Sequence, residues 1–417
     1  MSAGAAATDL EAVFRRERGR LVAMLARRFG LACLPDSEDA VQAAMVAALR
    51  CWPFDGVPAN PAAWLYRAAQ RQMIDQHRRG QRFERDDATM AEQLATLDPP
   101  AAFADELTDA ELQLLFALCH PRLPLESQLV LALHSLGGLG LRELAAGLLT
   151  TEAALAQRLQ RARRQLAVAG VMLEVPAPEA LPARRSAVLK ALYLIFNEGY
   201  QSAAGSEYQR DDLCIEALRL ARLLADHPQI GDGETDALVA LMLLHSARLA
   251  SRIPEDGRPL LLHEQDRSRW DAGLIGLGLR YLDRARRSAT LTSVHLQAAI
   301  AAAHATAPAT DETDWPMILR HYETLLTLDR SPVARLGHAV ALAQVQGPDA
   351  GLDALESLER DIGDARSPFL SAARADMLGR LGRNEEAMAA CAAAIERARS
   401  TSERRLLEHR LATLASR

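Results

Sequence analysis

The chain has a single lysine, Lys190, and aromatic side chains make up only 4% of its 417 residues. The lysine sits in Val188-Leu189-Lys190 with no glycine-rich loop before it, so a phosphate-cradling Walker A loop cannot be built. Gly137-Gly138-Leu139-Gly140 lacks the later glycine and the preceding strand of a dinucleotide fingerprint. The five cysteines (Cys33, Cys51, Cys119, Cys214 and Cys391) are odd in number and far apart. With no Cys-x-x-Cys and no histidine pair at ligand spacing, they predict buried thiols and neither a disulfide framework nor a zinc site. No triad-like arrangement can be assembled from spacing, which points to a non-enzyme with no cofactor. No run is apolar and long enough for a signal peptide or a membrane span, so a cytoplasmic protein without a membrane partner is expected.

What is present is alanine, leucine and arginine. Hydrophobic residues reach 49%, they recur near 3.6-residue spacing over most of the chain, and extended alternation is not visible. An all-α fold follows, divided at this length into two or three compact units. The net charge of -6 excludes a generally basic surface and confines any nucleic-acid contact to local patches. Arg67 to Arg85 and Arg158 to Arg164 are the two such patches.

The stretch Leu141 to Leu166 reads as two short helices joined by a tight turn, a helix-turn-helix. In the second helix Leu155, Leu159, Ala162 and Leu166 form an apolar stripe, and Gln157, Gln160, Arg161 and Arg164 fall opposite. Thr150 or Thr151 supplies the cap. Arg158, Arg161, Arg163 and Arg164 have no acid nearby in sequence, which favours a DNA-facing helix over a merely solvated one.

Upstream, Leu10 to Phe29 and Ser37 to Cys51 read as amphipathic helices separated by a breaker at Leu34-Pro35-Asp36. Asn60-Pro61 starts a third helix running to about Arg79. At 100° per residue, Arg67, Arg71 and Arg78 lie within about 40° of one another, with Leu65, Ala69 and Met73 opposite and Trp64 beside the arginine row. Two readings stay open. Arginines can hold phosphates while an aromatic supports an unstacked base, or Trp64 is core and the arginines are solvated.

Ser37-Glu38-Asp39-Ala40-Val41-Gln42, Ala63-Trp64-Leu65-Tyr66-Arg67 and Ile74-Asp75-Gln76-His77-Arg78-Arg79 resemble region two of extracytoplasmic-function sigma factors, and the helix-turn-helix resembles their region four. The resemblance implies that Asp39 and Gln42 dock on the clamp helices of the polymerase β′ subunit. It further implies that Asn60, Trp64, Arg67, Arg71 and Arg78 recognise and open the minus-ten element. Gln157, Arg158, Gln160, Arg161 and Arg164 would face the minus-thirty-five element. Two positions depart from the family: Arg71 stands where Asn is usual, and Leu149 where the region-four turn usually has Gly. The expected partners are therefore core RNA polymerase, through its β and β′ subunits, and promoter DNA.

The expected domains are region two over 10–83, an acidic linker over 84–107, region four over 108–168 and a helical C-terminal domain over 180–417. Glu84 to Glu111 holds nine acids against one arginine, the composition of an extended tether, and Thr108 with Glu111 makes a capping box that starts region four. Residues 1–175 are expected to fold alone.

In the C-terminal half, periodicity predicts paired helices forming a solenoid. The segment Arg374 to Ala398 resembles a tetratricopeptide unit through Ala375, Leu381, Gly382, Ala387, Cys391 and Ala394, and Pro332 to Glu359 is a weaker echo with Gly347 at its turn. Phe196-Asn197-Glu198-Gly199-Tyr200 reads as a helix end with Gly199 as a left-handed cap, and Gln265 to Asp271 as a helix start with Ser268 as N-cap. Both resemble segments of the tetratricopeptide-extended sigma factors, whose fused domain implies a built-in regulator able to contact the sigma modules. The competing reading is a conventional helix-turn-helix regulator with a helical sensing domain.

Overall fold

The computed structural model describes residues 3–81, 103–148, 150–174, 176–177, 179–200, 211–228, 230–253, 260–362, 368–398 and 401–415. Among them every regular element is helical. The linker over 84–107 falls largely outside the described residues, as do Leu149 and the side chain of Thr108. The chain divides into two compact units, Met1–Asn197 with Ile215–Leu220, and Glu198–Cys214 with Ala221–Arg417.

The first unit is built on α1 (Ala3–Phe29), α2 (Leu34–Asp55) and α3 (Pro61–Gln81). The Leu34-Pro35-Asp36 breaker is corrected: a 3-10 turn over Leu31–Cys33 leads directly into α2, and Pro35 lies in the first helical turn, where its missing N–H has no partner to lose. Asn60 starts α3 as expected, its Oδ1 accepting from the Ala63 N–H at 3.0 Å. Leu65, Ala69 and Met73 are fully buried.

Four further helices follow: α4 (Phe103–Leu118), α5 (Leu125–Ser135), α6 (Leu141–Gly147) and α7 (Glu152–Val168). Helix α4 starts five residues before Thr108, and the Glu111 carboxylate accepts from Arg219, so the expected capping box is not what begins this helix. Thr151 caps α7 through the Ala154 N–H at 3.2 Å. Leu155, Leu159, Ala162 and Leu166 are buried as one stripe. The unit also includes α8 (Leu181–Tyr200) up to Asn197 and residues 215–220 of α9 (Asp211–Asp226).

The second unit surrounds α10 (Gly233–Ser246), of which residues 235–244 are all buried. A short α11 (Leu249–Arg252) precedes α12 (Ala272–Ala285) and α13 (Ser293–Thr306), both packed on α10. Consecutive helices α14 (Trp315–Leu328), α15 (Pro332–Val345), α16 (Pro348–Ile362), α17 (Pro368–Arg380), α18 (Asn384–Glu396) and α19 (Thr401–Ala415) each pack on the next. Ala375, Ala387, Cys391 and Ala394 are fully buried where α17 meets α18, and their small side chains permit that approach. Gly347 takes φ 101° in the turn before α16, a backbone that side chains rarely adopt.

Two local readings change. Gly199 lies inside α8 and has no positive φ, so it is not a left-handed cap. Helix α12 begins at Ala272 with Asp271 as N-cap, accepting from the Leu274 N–H at 2.9 Å, while Ser268 belongs to a 3-10 turn capped by Asp266. Tyr200 of the first cluster and Arg267 of the second are taken up by packing in the second unit. Tyr200 lies 3.7 Å beneath the Arg252 guanidinium, and its hydroxyl accepts from Arg248 Nε at 2.7 Å. Arg267 donates to the His304 and Ala307 carbonyls at the end of α13, both at 2.7 Å, satisfying groups that a helix C-terminus leaves open.

Candidate functional site

One face of α2 is left to solvent. Asp39, Gln42, Ala43, Val46, Ala47, Arg50 and Cys51 line a shallow depression along it, following the i, i+3, i+4, i+7 progression of a single helix face. Asp39 and Gln42 are exposed, and Val46 and Leu49 beside them are 42% and 52% exposed. An apolar strip rimmed by polar groups is the make-up of a protein-binding face. Cys51 belongs to this face, so the expectation that the cysteines are buried is corrected: Cys119, Cys214 and Cys391 are buried, Cys33 is intermediate and Cys51 exposed.

The opposite side of α2 carries Ala44, Ala48 and Trp52 inward. The Trp52 ring lies 5.7 Å from Phe14 and 5.4 Å, edge-on, from Trp64, so α2 and α3 are joined through an aromatic stack. Trp64 is half-buried, which reconciles the two readings left open for it: part of the ring is core and part faces out beside the arginines. Arg67, Arg71 and Arg78 are exposed, on the side of α3 away from Leu65, Ala69 and Met73. Asn60 is exposed at the start of the same helix, with its Oδ1 used for capping.

On α7, Gln157, Gln160, Arg161 and Arg164 are exposed and Arg158 is half-buried. Arg163 behaves differently. It donates to the Glu38 carboxylate of α2, 125 residues away, so one of the four arginines without an acid nearby in sequence has one in space. Glu38 is buried, with Ser135 Oγ donating to it at 2.7 Å, and His134 Nε2 lies 3.8 Å away, beyond hydrogen-bond reach. Burial lowers the His134 and Arg18 pKa values, countered by the Glu38 charge. A second buried carboxylate, Glu111 of α4, accepts from Arg219 and lies 3.8 Å from Arg20 of α1; burial raises its pKa to about 8 against the pull of Arg219. The sequence offers Glu111 only as half of a capping box and Glu38 only as a member of the Ser37 to Gln42 segment, not as buried acids. The available signal for Glu38 was its place on the apolar stripe between Leu34 and Val41.

Among the described residues no cluster of three or more His, Cys, Asp or Glu could hold a metal ion, and no helix is long and apolar enough to cross a membrane. Residues 14–83 match the family model for sigma-70 region 2, and residues 184–286 match a family of unknown function (DUF6596). The chain belongs to the extracytoplasmic-function-like sigma factors with a C-terminal extension. The α2 and α3 faces thus lie within the matched sigma region. Over 390 residues the sigma factor is 37% identical to an uncharacterized protein, R00370, of Rhizobium meliloti (strain 1021), a match covering 91% of this chain and 90% of that protein. No solved structure matches it.

Proposed function

We propose that this sigma factor joins core RNA polymerase through the Asp39, Gln42, Val46 face of α2, reads and opens the minus-ten element with α3, and reads the minus-thirty-five element with α7. The observation that carries this reading is that α2 and α3, joined through Trp52 and Trp64, each leave one face exposed within the region-two match: apolar with a polar rim on α2, cationic beside an aromatic on α3. The first composition suits a protein surface, the second phosphates and an unstacked base. Residues 103–168 act as region four, with the exposed Gln157, Gln160, Arg161 and Arg164 and the half-buried Arg158 turned to the major groove. The tetratricopeptide-like helices of the second unit serve as the fused regulator.

The test is reconstitution with core polymerase on a cognate promoter. Arg67→Ala and Arg71→Ala should weaken promoter opening and leave core affinity intact, because phosphate and base contacts form only once DNA is engaged. Asp39→Ala with Gln42→Ala should do the reverse. Arg161→Ala should reduce the salt slope of promoter binding by about 1. Tight binding to duplex DNA without polymerase, and none to core, would instead mark a conventional regulator.

A further inference from the structure

In the second unit Arg284 is paired with Asp236, Arg335 with Asp361, Arg374 with Glu359, Arg383 with Glu386 and Arg410 with Asp376. Arg248 and Arg267 differ. Both are half-buried, and neither forms an ion pair among the described residues. Arg248 Nε donates to the Tyr200 hydroxyl, and the Arg267 Nη atoms donate to the His304 and Ala307 carbonyls and, at 3.1 Å, to Thr313 Oγ1. Two like charges held only by neutral groups in a partly desolvated place are unfavourable. The two lie close together: the Asp271 N–H donates to the Ala247 carbonyl at 2.8 Å, which sets the start of α12 beside Arg248, and the Arg267 guanidinium is 5.0 Å from the Trp270 ring. Burial lowers the Arg267 pKa and the Arg248 charge lowers it further, against a smaller pull from the exposed Asp311. Three polar atoms around the pair are buried without a hydrogen-bond partner: Arg267 Nε, His304 Nδ1 and the indole Nε1 of Trp270, a residue only 7% exposed. Buried polar atoms are nearly always satisfied, so three of them beside two unpaired cations mark a place for a group that the chain itself does not supply.

We infer that Arg248, Arg267, Trp270 and His304 form a binding site for the phosphoryl group of a small molecule. Charge decides between the oxyanions. A carboxylate brings one negative charge and two oxygens, whereas a phosphate monoester brings about 1.5–2 negative charges at pH 7 and three acceptor oxygens, a match for two guanidiniums and the buried N–H groups. Only the Nε of Arg248 donates within the chain, so its Nη fork suits two of those oxygens. His304, held neutral by burial and by the two arginines, adds an N–H without adding a third charge. Tyr200 and Arg252 are positioning residues: the Arg252 guanidinium stacks on the Tyr200 ring and donates to the Tyr200 carbonyl, holding the hydroxyl that accepts from Arg248. The inner atoms are closed to water, so the anion meets Arg248 first and the inner donors turn to it as it is drawn in. That depth suits a small molecule and not the surface of a macromolecule.

The full-length chain is to be titrated calorimetrically with inorganic phosphate, AMP and adenosine. Phosphate or AMP should bind at one site with a Kd of about 1 mM or below, and adenosine should not bind. Phosphate binding at least as tightly as AMP identifies the free anion as the ligand form, and tighter AMP identifies a phosphate ester. Arg248→Met keeps the aliphatic stem and removes the charge, and Trp270→Phe keeps a ring and removes the indole N–H. Each should weaken binding by about tenfold or more, the worth of a hydrogen bond to a charged group. Arg287→Ala, which removes a cation 81% exposed on the same unit, should leave affinity unchanged. Because Trp270→Phe removes one N–H and fills nearly the same space, it carries the test if Arg248→Met does not fold. The proposal is overturned if neither phosphate nor AMP binds up to about 10 mM, or if both site variants bind as the unaltered chain does. All these residues belong to the second unit, so a failed phosphate titration leaves the sigma reading standing, and failure to bind core polymerase leaves this site standing.

Discussion

Replacing Trp52 with alanine tests the junction that places the α3 arginines relative to the α2 face. Trp52 is 3% exposed and contacts the rings of Phe14 and Trp64. Removing a buried indole costs about 3–5 kcal/mol in transfer and cavity terms, and each aromatic contact adds about 0.5–1.5 kcal/mol beyond its buried area. One gain opposes these losses: Trp52 Nε1 is buried without a hydrogen-bond partner, and its removal recovers about 1 kcal/mol. The net expectation is a loss of about 4 kcal/mol for Trp52→Ala, a large part of the roughly 5–15 kcal/mol typical of a domain. Trp52→Phe keeps a ring in place, loses the unpartnered N–H and should cost about 1 kcal/mol. Because two units need not unfold together, a single melting curve is a poor readout; hydrogen exchange of the α2 and α3 amides reports the local opening energy. A change below about 1 kcal/mol for Trp52→Ala would refute the packing argument. Trp64→Ala, at a half-buried position, should lose less stability and more promoter opening.

In the second unit, Gly351→Ala would bring a Cβ to 2.5 Å from Ala343 Cβ and 3.0 Å from the Ala339 carbonyl oxygen. Overpacking of about 1–3 kcal/mol should outweigh the helix-propensity gain of about 1 kcal/mol, and urea denaturation should show the loss. Burial lowers His304 from 6.5 to about 4, with Arg248 and Arg267 acting in the same direction. The unfolded chain then binds the proton more readily, so stability falls as pH drops from about 6.5 to about 4, by about 3 kcal/mol at most, and His304→Gln should flatten that dependence. Cutting the chain after residue 175 removes Arg219 from the 1%-exposed Glu111 side chain and leaves Arg20 at 3.8 Å. We expect such a fragment to be less stable, against the sequence-based expectation that it folds alone, and a fragment ending at residue 226 to be the more stable of the two by denaturant titration.

The sequence carried what is local. The apolar stripe of α7, the Asn60 cap and the Gly347 turn all follow from spacing within one helix or turn, because propensity and capping act over three or four residues. Pro35 was read as a breaker because proline is equally at home just before a helix and in its first turn, and only the fold distinguishes the two. Ser268 lost the cap to Asp271 for a similar reason, as both are good N-caps three residues apart. The buried ion-pair roles of Glu38 and Glu111, the latter expected to close a capping box, are illegible on different grounds. Their partners lie 97, 125 and 108 residues away, and no spacing rule connects them. The candidate site was legible as faces, since exposure alternates at helical period; which arginine of α7 is taken by a buried acid was not.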